Sequence, residues 1–139
     1  MKIWQGYGTE HSSNLIMIGR FKDAEDAARA KDIIENLIEQ VRADEHDGLL
    51  ILGECSDRYT TGMLELLRKL RVHSVGPDEL QQFALDVDMK VKPEKKNELV
   101  LTTEEIDISA FLKVLIDTGA RVEVYSAHDY PDTDYGRGK

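Results

Sequence analysis

The chain has 139 residues, of which 27 are acidic and 18 are lysine or arginine, and its net charge at pH 7 is −9. A field of this sign repels phosphate backbones and anionic lipid, which argues against nucleic acid and membranes as partners. No apolar run approaches the roughly 18 residues that cross a bilayer, and no basic amino-terminal segment leads into an apolar one. We therefore expect a cytoplasmic protein whose length suits one domain.

The first forty residues predict a strand, a polar loop, a second strand and a long helix. Residues 2–7 suit a short strand, and residues 8–14 are the most polar stretch of the chain. The nearly continuous apolar run 15–21 is typical of a central strand that is buried on both faces. Asp23 then suits the N-cap of a helix over 23–42, which carries an apolar stripe and should pack on a sheet.

The middle of the chain gives weaker patterns. Residues 49–52 form a short apolar run that fits either a buried strand or the edge of a helix, and Cys55 after it fits a small buried residue. Ser56 or Asp57 is a plausible N-cap for the next helix. The apolar face of that helix comprises Met63, Leu64, Leu67 and Leu70.

The second half of the chain contains the clearest pattern. Apolar and polar residues alternate over 83–91, and residues 99–101 are apolar again, so the two segments predict a hairpin. A helix should follow, with Asp107 as its N-cap and Gly119 as its left-handed C-terminal stop. Alternation over 121–125 predicts the last strand.

Together these elements predict an α+β fold. We expect an antiparallel sheet of about five strands with two main helices on one face, in the style of a ferredoxin-like sandwich. Residues 1–126 should form this single α+β domain, followed by a polar tail over 127–139. The tail has no apolar period, so it is either a frayed end or a short arm that orders against a partner.

An acidic helix points to a binding function. Residues 22–47 contain nine acids against four bases, which suits steering of a basic protein. The expected function is therefore that of a small acidic binding protein, such as an inhibitor or immunity protein that neutralises a basic toxin or nuclease. Trp4 and Tyr7 are candidate aromatic anchors for that partner. The carboxylates expected to contact it are Glu25, Asp26, Asp32, Glu35 and Glu39.

The alternative function is that of a small enzyme or ligand-binding protein with a polar site at residues 7–14. If the last strand lies beside the first, the end of the chain would meet this loop and supply groups for proton transfer or metal binding. No catalytic, metal-binding or nucleotide-binding motif is present, so we predict no cofactor and no metal. The candidate catalytic residues of this alternative site are Glu10, His11, Ser12, His128 and Asp129.

A homodimer joined through an open sheet edge is a third possibility.

Overall fold

The computed structural model describes residues 14–84, 87–104 and 108–126. Four strands, three α-helices and one 3₁₀ helix account for most of these residues. In chain order the elements are β1 (Asn14–Arg20), α1 (Ala24–His46), α2 (Thr61–Leu70), the 3₁₀ helix (Glu79–Ala84), β2 (Asp88–Val91), β3 (Glu98–Glu104), α3 (Ile108–Asp117) and β4 (Arg121–Ser126).

The strands form one antiparallel sheet in the order β2-β3-β1-β4. β1 pairs on both sides, and its residues Met17 and Ile18 are completely buried although they point to opposite faces. The prediction of a central strand at this position is therefore confirmed. A Cβ placed on Gly19 would lie 3.2 Å from a methyl carbon of Leu115, so glycine lets α3 pack closely on β1.

The core lies between this sheet and the helices. Met17, Leu99 and Leu101 alternate with outward residues on their strands and face Ile34 of α1 and Phe111 of α3 in one apolar cluster.

The prediction of an α+β fold with an antiparallel sheet and helices is confirmed. The described residues contain four strands where about five were expected, and the strand predicted at residues 2–7 lies outside them. Among the described helices, none combines the length and apolar character that a bilayer crossing requires.

The prediction of one long strand over 83–91 is wrong in its first part. Residues up to Ala84 belong to the 3₁₀ helix, and β2 covers only Asp88–Val91. A 3₁₀ helix repeats every three residues, so Leu80 and Phe83 share one face, and both are buried in the core. Phe83 thus fits a period of two and a period of three equally well, and the contact with the core favours the helix.

The prediction of a buried strand or helix edge at residues 49–52 is also wrong. These residues form a loop between α1 and α2, most of its apolar side chains are exposed, and Cys55 is exposed after it. The N-cap of α2 is Thr60, whose hydroxyl accepts a hydrogen bond of 3.1 Å from the backbone N–H of Met63. The helix therefore begins a few residues later than its expected caps.

The start of α3 depends on a residue that is distant in sequence. The side-chain oxygen of Gln82 accepts hydrogen bonds from the backbone N–H of Ala110 at 2.9 Å and from the hydroxyl of Ser109 at 3.1 Å. An N-terminal N–H of the helix is thereby satisfied from the 3₁₀ helix. The expected cap Asp107 lies outside the described residues, and Gly119 follows the helix with a φ of 95°, as predicted.

Thr103 offers a test of the packing between the sheet and the helices. Its hydroxyl is buried and has no hydrogen-bond partner within the described ranges. An unpaired buried hydroxyl costs free energy, so we expect Thr103→Val to raise the free energy of unfolding by about 1 kcal/mol in urea titrations. Thr102→Val, on the exposed side of the same strand, is the control and should change stability by less than about 0.5 kcal/mol. Equal effects of the two substitutions would contradict this account.

Candidate functional site

Helix α1 is fixed in place by its cap and by one apolar stripe. The Asp23 side chain accepts a hydrogen bond of 3.1 Å from the backbone N–H of Asp26, which satisfies one free donor of the first turn. The inward side chains recur every three or four residues, so the opposite side of the helix is left to solvent. The buried positions are Ala27, Ala30, Ile33, Ile34, Leu37, Val41 and Asp44.

The outward side of α1 carries four exposed carboxylates that we call the α1 carboxylate row: Glu25, Asp32, Glu35 and Glu39. Three of them follow one another at intervals of seven residues, which is close to two helical turns and about 10.5 Å along the axis. They therefore lie nearly in line. Asp26 differs from the four because it is half-buried at the first turn.

The row is only weakly neutralised by its surroundings. Lys31 Nζ lies 3.8 Å from Glu35 Oε1, and this exposed pair contributes little in water. Among the residues that the structure describes, no cation lies within ion-pair distance of Glu25, Asp32 or Glu39. Exposed Arg29 and Arg42 lie on neighbouring turns, so the row is an acidic surface with cations at its borders.

A groove runs beside the row, between α1 and the edge strand β2. It encloses about 480 Å³ and has an apolar base of Ile38, Val87 and Met89. Glu35 and Glu39 contribute to its wall, together with two cations and Asp88. Its charged lining residues are Lys31, Glu35, Glu39, Arg42 and Asp88. The groove thus places apolar surface next to two members of the carboxylate row.

One carboxylate of α1 has a structural role. Asp44 is buried, and its two oxygens accept hydrogen bonds of 2.9 Å from the Gln40 amide and 2.7 Å from the Thr60 hydroxyl. Since Thr60 is also the N-cap of α2, Asp44 joins the end of one helix to the start of the next. A buried carboxylate beside a helix N-terminus is favoured by the dipole of that helix.

A second charged cluster lies on the face of the sheet that is turned away from the helices. Glu98 is buried between Arg20, at 3.0 Å, and Lys92, at 2.9 Å, and Arg20 also pairs with Glu123. The hydrogen bond from Lys92 holds the pKa of Glu98 below its ordinary value of 4.5, against the opposing effect of burial. The Glu123 carboxylate accepts a hydrogen bond from Tyr125, which raises the pKa of the tyrosine.

This cluster predicts a pH dependence of stability. Well above pH 4.5 Glu98 is ionised in both the folded and the unfolded chain, and its ion pairs contribute in full. As the pH falls further, the unfolded chain binds the proton first, so the contribution is lost through the lower pKa of the folded state. We expect Glu98→Gln to lower the free energy of unfolding by about 1–3 kcal/mol at neutral pH. The difference between the variant and the unchanged protein should become smaller below about pH 4.5.

Urea unfolding from about pH 6 to about pH 3 measures that difference. Glu79 also has a lowered pKa. Burial raises this pKa, but the hydrogen bonds from Lys113 and the Gly76 backbone outweigh burial and lower it below 4.5. Its contribution is present in both proteins and cancels in the comparison. Stability curves that stay parallel over the whole range would contradict the assignment to Glu98.

The described part of the chain contains the predicted α1 carboxylates but not the predicted polar site. Glu10, His11, Ser12, His128 and Asp129 lie outside the described residues, and so do the two aromatic anchors, Trp4 and Tyr7. Within residues 14–84, 87–104 and 108–126, no three His, Cys, Asp or Glu side chains are grouped so that they could hold a metal ion. The carboxylates of α1 are therefore the part of the predicted sites that the structure describes.

The sequence reasoning missed a basic cleft between α1 and the end of α2. It encloses about 340 Å³ and is lined by Arg29, Lys69 and Arg71 around the apolar side chains of Ile33 and Leu70. Lys69 lies in the last turn of α2, and Arg71 is the C-cap of that helix. Arg29 lies on the side of α1 next to α2, so the acidic helix also carries a basic flank.

The fold and this surface define a small α+β protein with an exposed acidic helix. Comparison with known sequences assigns it further: the chain belongs to the family of unknown function DUF6375, which matches it over residues 1–137. No curated protein and no solved structure shows significant similarity to the chain.

Proposed function

We propose that this protein is a small acidic binding protein that recognises a basic protein through α1, in the manner of an inhibitor or immunity protein that neutralises a toxin or nuclease. The observation that carries the proposal is the α1 carboxylate row. Its four carboxylates are exposed on one side of a helix whose opposite side is buried, and only Glu35 among them has a neighbouring cation at ion-pair distance within the described residues.

The mechanism has two stages. Aligned charges attract a cationic surface over about a Debye length, roughly 8–10 Å at physiological salt, and so raise the association rate. After contact, the groove beside the row offers apolar area from Ile38, Val87 and Met89, which the partner can cover. A protein bound over a contact of ordinary size blocks the active surface of its partner sterically, and this inhibition requires no catalytic residue.

The proposal extends to the fold and the location. The element order β1-α1-β2-β3-α3-β4 with the strand order β2-β3-β1-β4 supports a ferredoxin-like sandwich, in which α2 and the 3₁₀ helix are inserted between α1 and β2. We also place the protein in the cytoplasm, where an acidic inhibitor would protect the cell that makes a basic toxin.

Affinity capture from the native cells tests this function. Three baits are compared: the unchanged protein, a row variant with all four carboxylates replaced by amides, and a charge-matched control with Glu65→Lys and Glu94→Lys. Both control sites are exposed and lie outside α1. The proposal requires a basic protein that binds the unchanged and control baits, is lost with the row variant, and elutes with salt. Equal recovery on all three baits would refute it.

A further inference from the structure

The loop between α1 and α2 exposes aliphatic side chains in an unusual way. We call residues 48–53 the aliphatic loop. Leu49 is 64% exposed, Ile51 is 57% exposed and Leu52 is 36% exposed, whereas Leu50 between them packs against the core. Single exposed apolar residues are common, but three in one short segment are typical of a surface that binds another molecule.

The loop is held in a defined shape at both ends. Its flanking glycines, Gly48 and Gly53, have φ values of 74° and 87°, which other residues adopt only with strain. The backbone N–H groups of Leu49 and Leu50 donate to the Asp44 carbonyl at 2.8 and 3.2 Å. At the other end, the buried Gln81 side chain accepts a hydrogen bond of 2.9 Å from the Gly53 N–H. Such a loop loses little conformational entropy when it binds.

The charges around the loop limit what can cover it. Glu45 and Asp47 precede it, Glu54 and Asp57 follow it, and all four are exposed. Against these four acids, the segment from 45 to 58 contains a single lysine or arginine, the exposed Arg58. The surface therefore has an apolar centre and an acidic rim, the arrangement of a protein interface. Its complement is an apolar recess with a basic rim.

We propose that the aliphatic loop is the anchor that inserts Leu49 and Ile51 into an apolar recess of the basic protein that α1 attracts. This inference rests on the proposed function, since both surfaces then address one partner. The loop begins two residues after α1 ends, and Glu39, the last member of the carboxylate row, lies about two helical turns before that end. A symmetric contact with a second copy would bring acidic rim against acidic rim, and anionic lipid would meet the same repulsion.

Binding kinetics with a synthetic probe test the anchor. The probe is an amphipathic peptide of leucine and lysine, which presents an apolar strip between rows of cations. For Leu49→Ser with Ile51→Ser, we expect dissociation to become roughly tenfold faster or more while the association rate stays unchanged, because the anchor acts after the encounter. The matched control is Ile116→Ser with Val124→Ser, which removes two aliphatic residues that are 56% and 42% exposed elsewhere. It should bind as the unchanged protein does.

The outcomes separate the anchor from the steering function. An unchanged dissociation rate in the loop variant overturns the anchor and leaves the carboxylate row intact as a hypothesis. An unchanged association rate in the row variant overturns the steering and leaves the loop result standing. Sedimentation of the protein alone tests whether a second copy covers the loop, and sedimentation with phosphatidylcholine–phosphatidylglycerol vesicles tests whether lipid does. Dimers or vesicle binding that the loop substitutions abolish would overturn the proposal in favour of a second copy or of lipid.

Discussion

Neutralising the α1 carboxylate row is expected to slow association with a basic partner by about tenfold or more at low ionic strength. The variant carries glutamine in place of the three glutamates and asparagine in place of Asp32. The reason is that the row faces solvent and meets one weak ion pair among the described residues, so its field reaches an approaching cation. Stopped-flow mixing with the captured partner, at several salt concentrations, measures the rate and its salt dependence.

The control for this experiment has the same net charge. Glu65→Lys with Glu94→Lys raises the charge of −9 by four units, as the row variant does, but at exposed sites on α2 and in the turn before β3. If position matters as well as total charge, the control protein should keep most of the association rate. Equal slowing of both variants would mean that net charge alone sets the rate, and the assignment of the row as the steering surface would fail.

Replacing Phe83 by alanine is expected to lower the free energy of unfolding by about 3–5 kcal/mol, the range for a buried aromatic residue. Phe83 is completely buried in the 3₁₀ helix, and its ring meets that of Phe111 edge to face, with centroids 5.0 Å apart and planes at 71°. Aromatic pairs of this geometry contribute beyond the area that they bury. Urea unfolding measures the loss, and the far-ultraviolet spectrum should keep its helical signal.

A double-mutant cycle supplies the control for the aromatic contact. Phe111→Ala should cost a similar amount, and the double variant should cost less than the sum of the two by about 0.5–1.5 kcal/mol, because the two rings share one contact. Ile116→Ala on the exposed side of α3 should change stability by less than about 0.5 kcal/mol. Strict additivity of the two phenylalanine substitutions would show that the rings do not interact in solution.

Sequence periodicity predicted the elements that bury one well-defined face. The apolar run of β1, the stripe of α1, and the helix and strand that end the described chain lie within a few residues of their expected positions. The pattern failed where two periods coincide, as at Leu80 and Phe83. It also failed at residues 49–52. An apolar run usually indicates burial, but most of this one is exposed on the surface. Burial depends on what the rest of the chain brings to a segment, which no local pattern contains.

The candidate site was predictable only in part, for the same reason. Glu25, Asp32 and Glu39 lie opposite the apolar stripe of α1, so the sequence pattern was enough to predict that they are exposed and evenly spaced. Asp44 also had a signal, since it continues the buried stripe after Leu37 and Val41, but its partner Thr60 belongs to another helix. The contacts of Gln81 and Gln82 leave no trace in any periodic pattern, because each joins residues that are 28 positions apart.

The hydrogen bonds of Asp44 fix the position of the aliphatic loop relative to α1 and α2. The side chain of this residue ties α1 to the first turn of α2, and its carbonyl closes the loop that starts at Gly48. One corner of the molecule therefore sets the distance from the charged helix to the aliphatic loop. In the proposed binding mode, a partner therefore needs a basic patch and an apolar recess at that same distance, so shape as well as positive charge would decide which proteins bind.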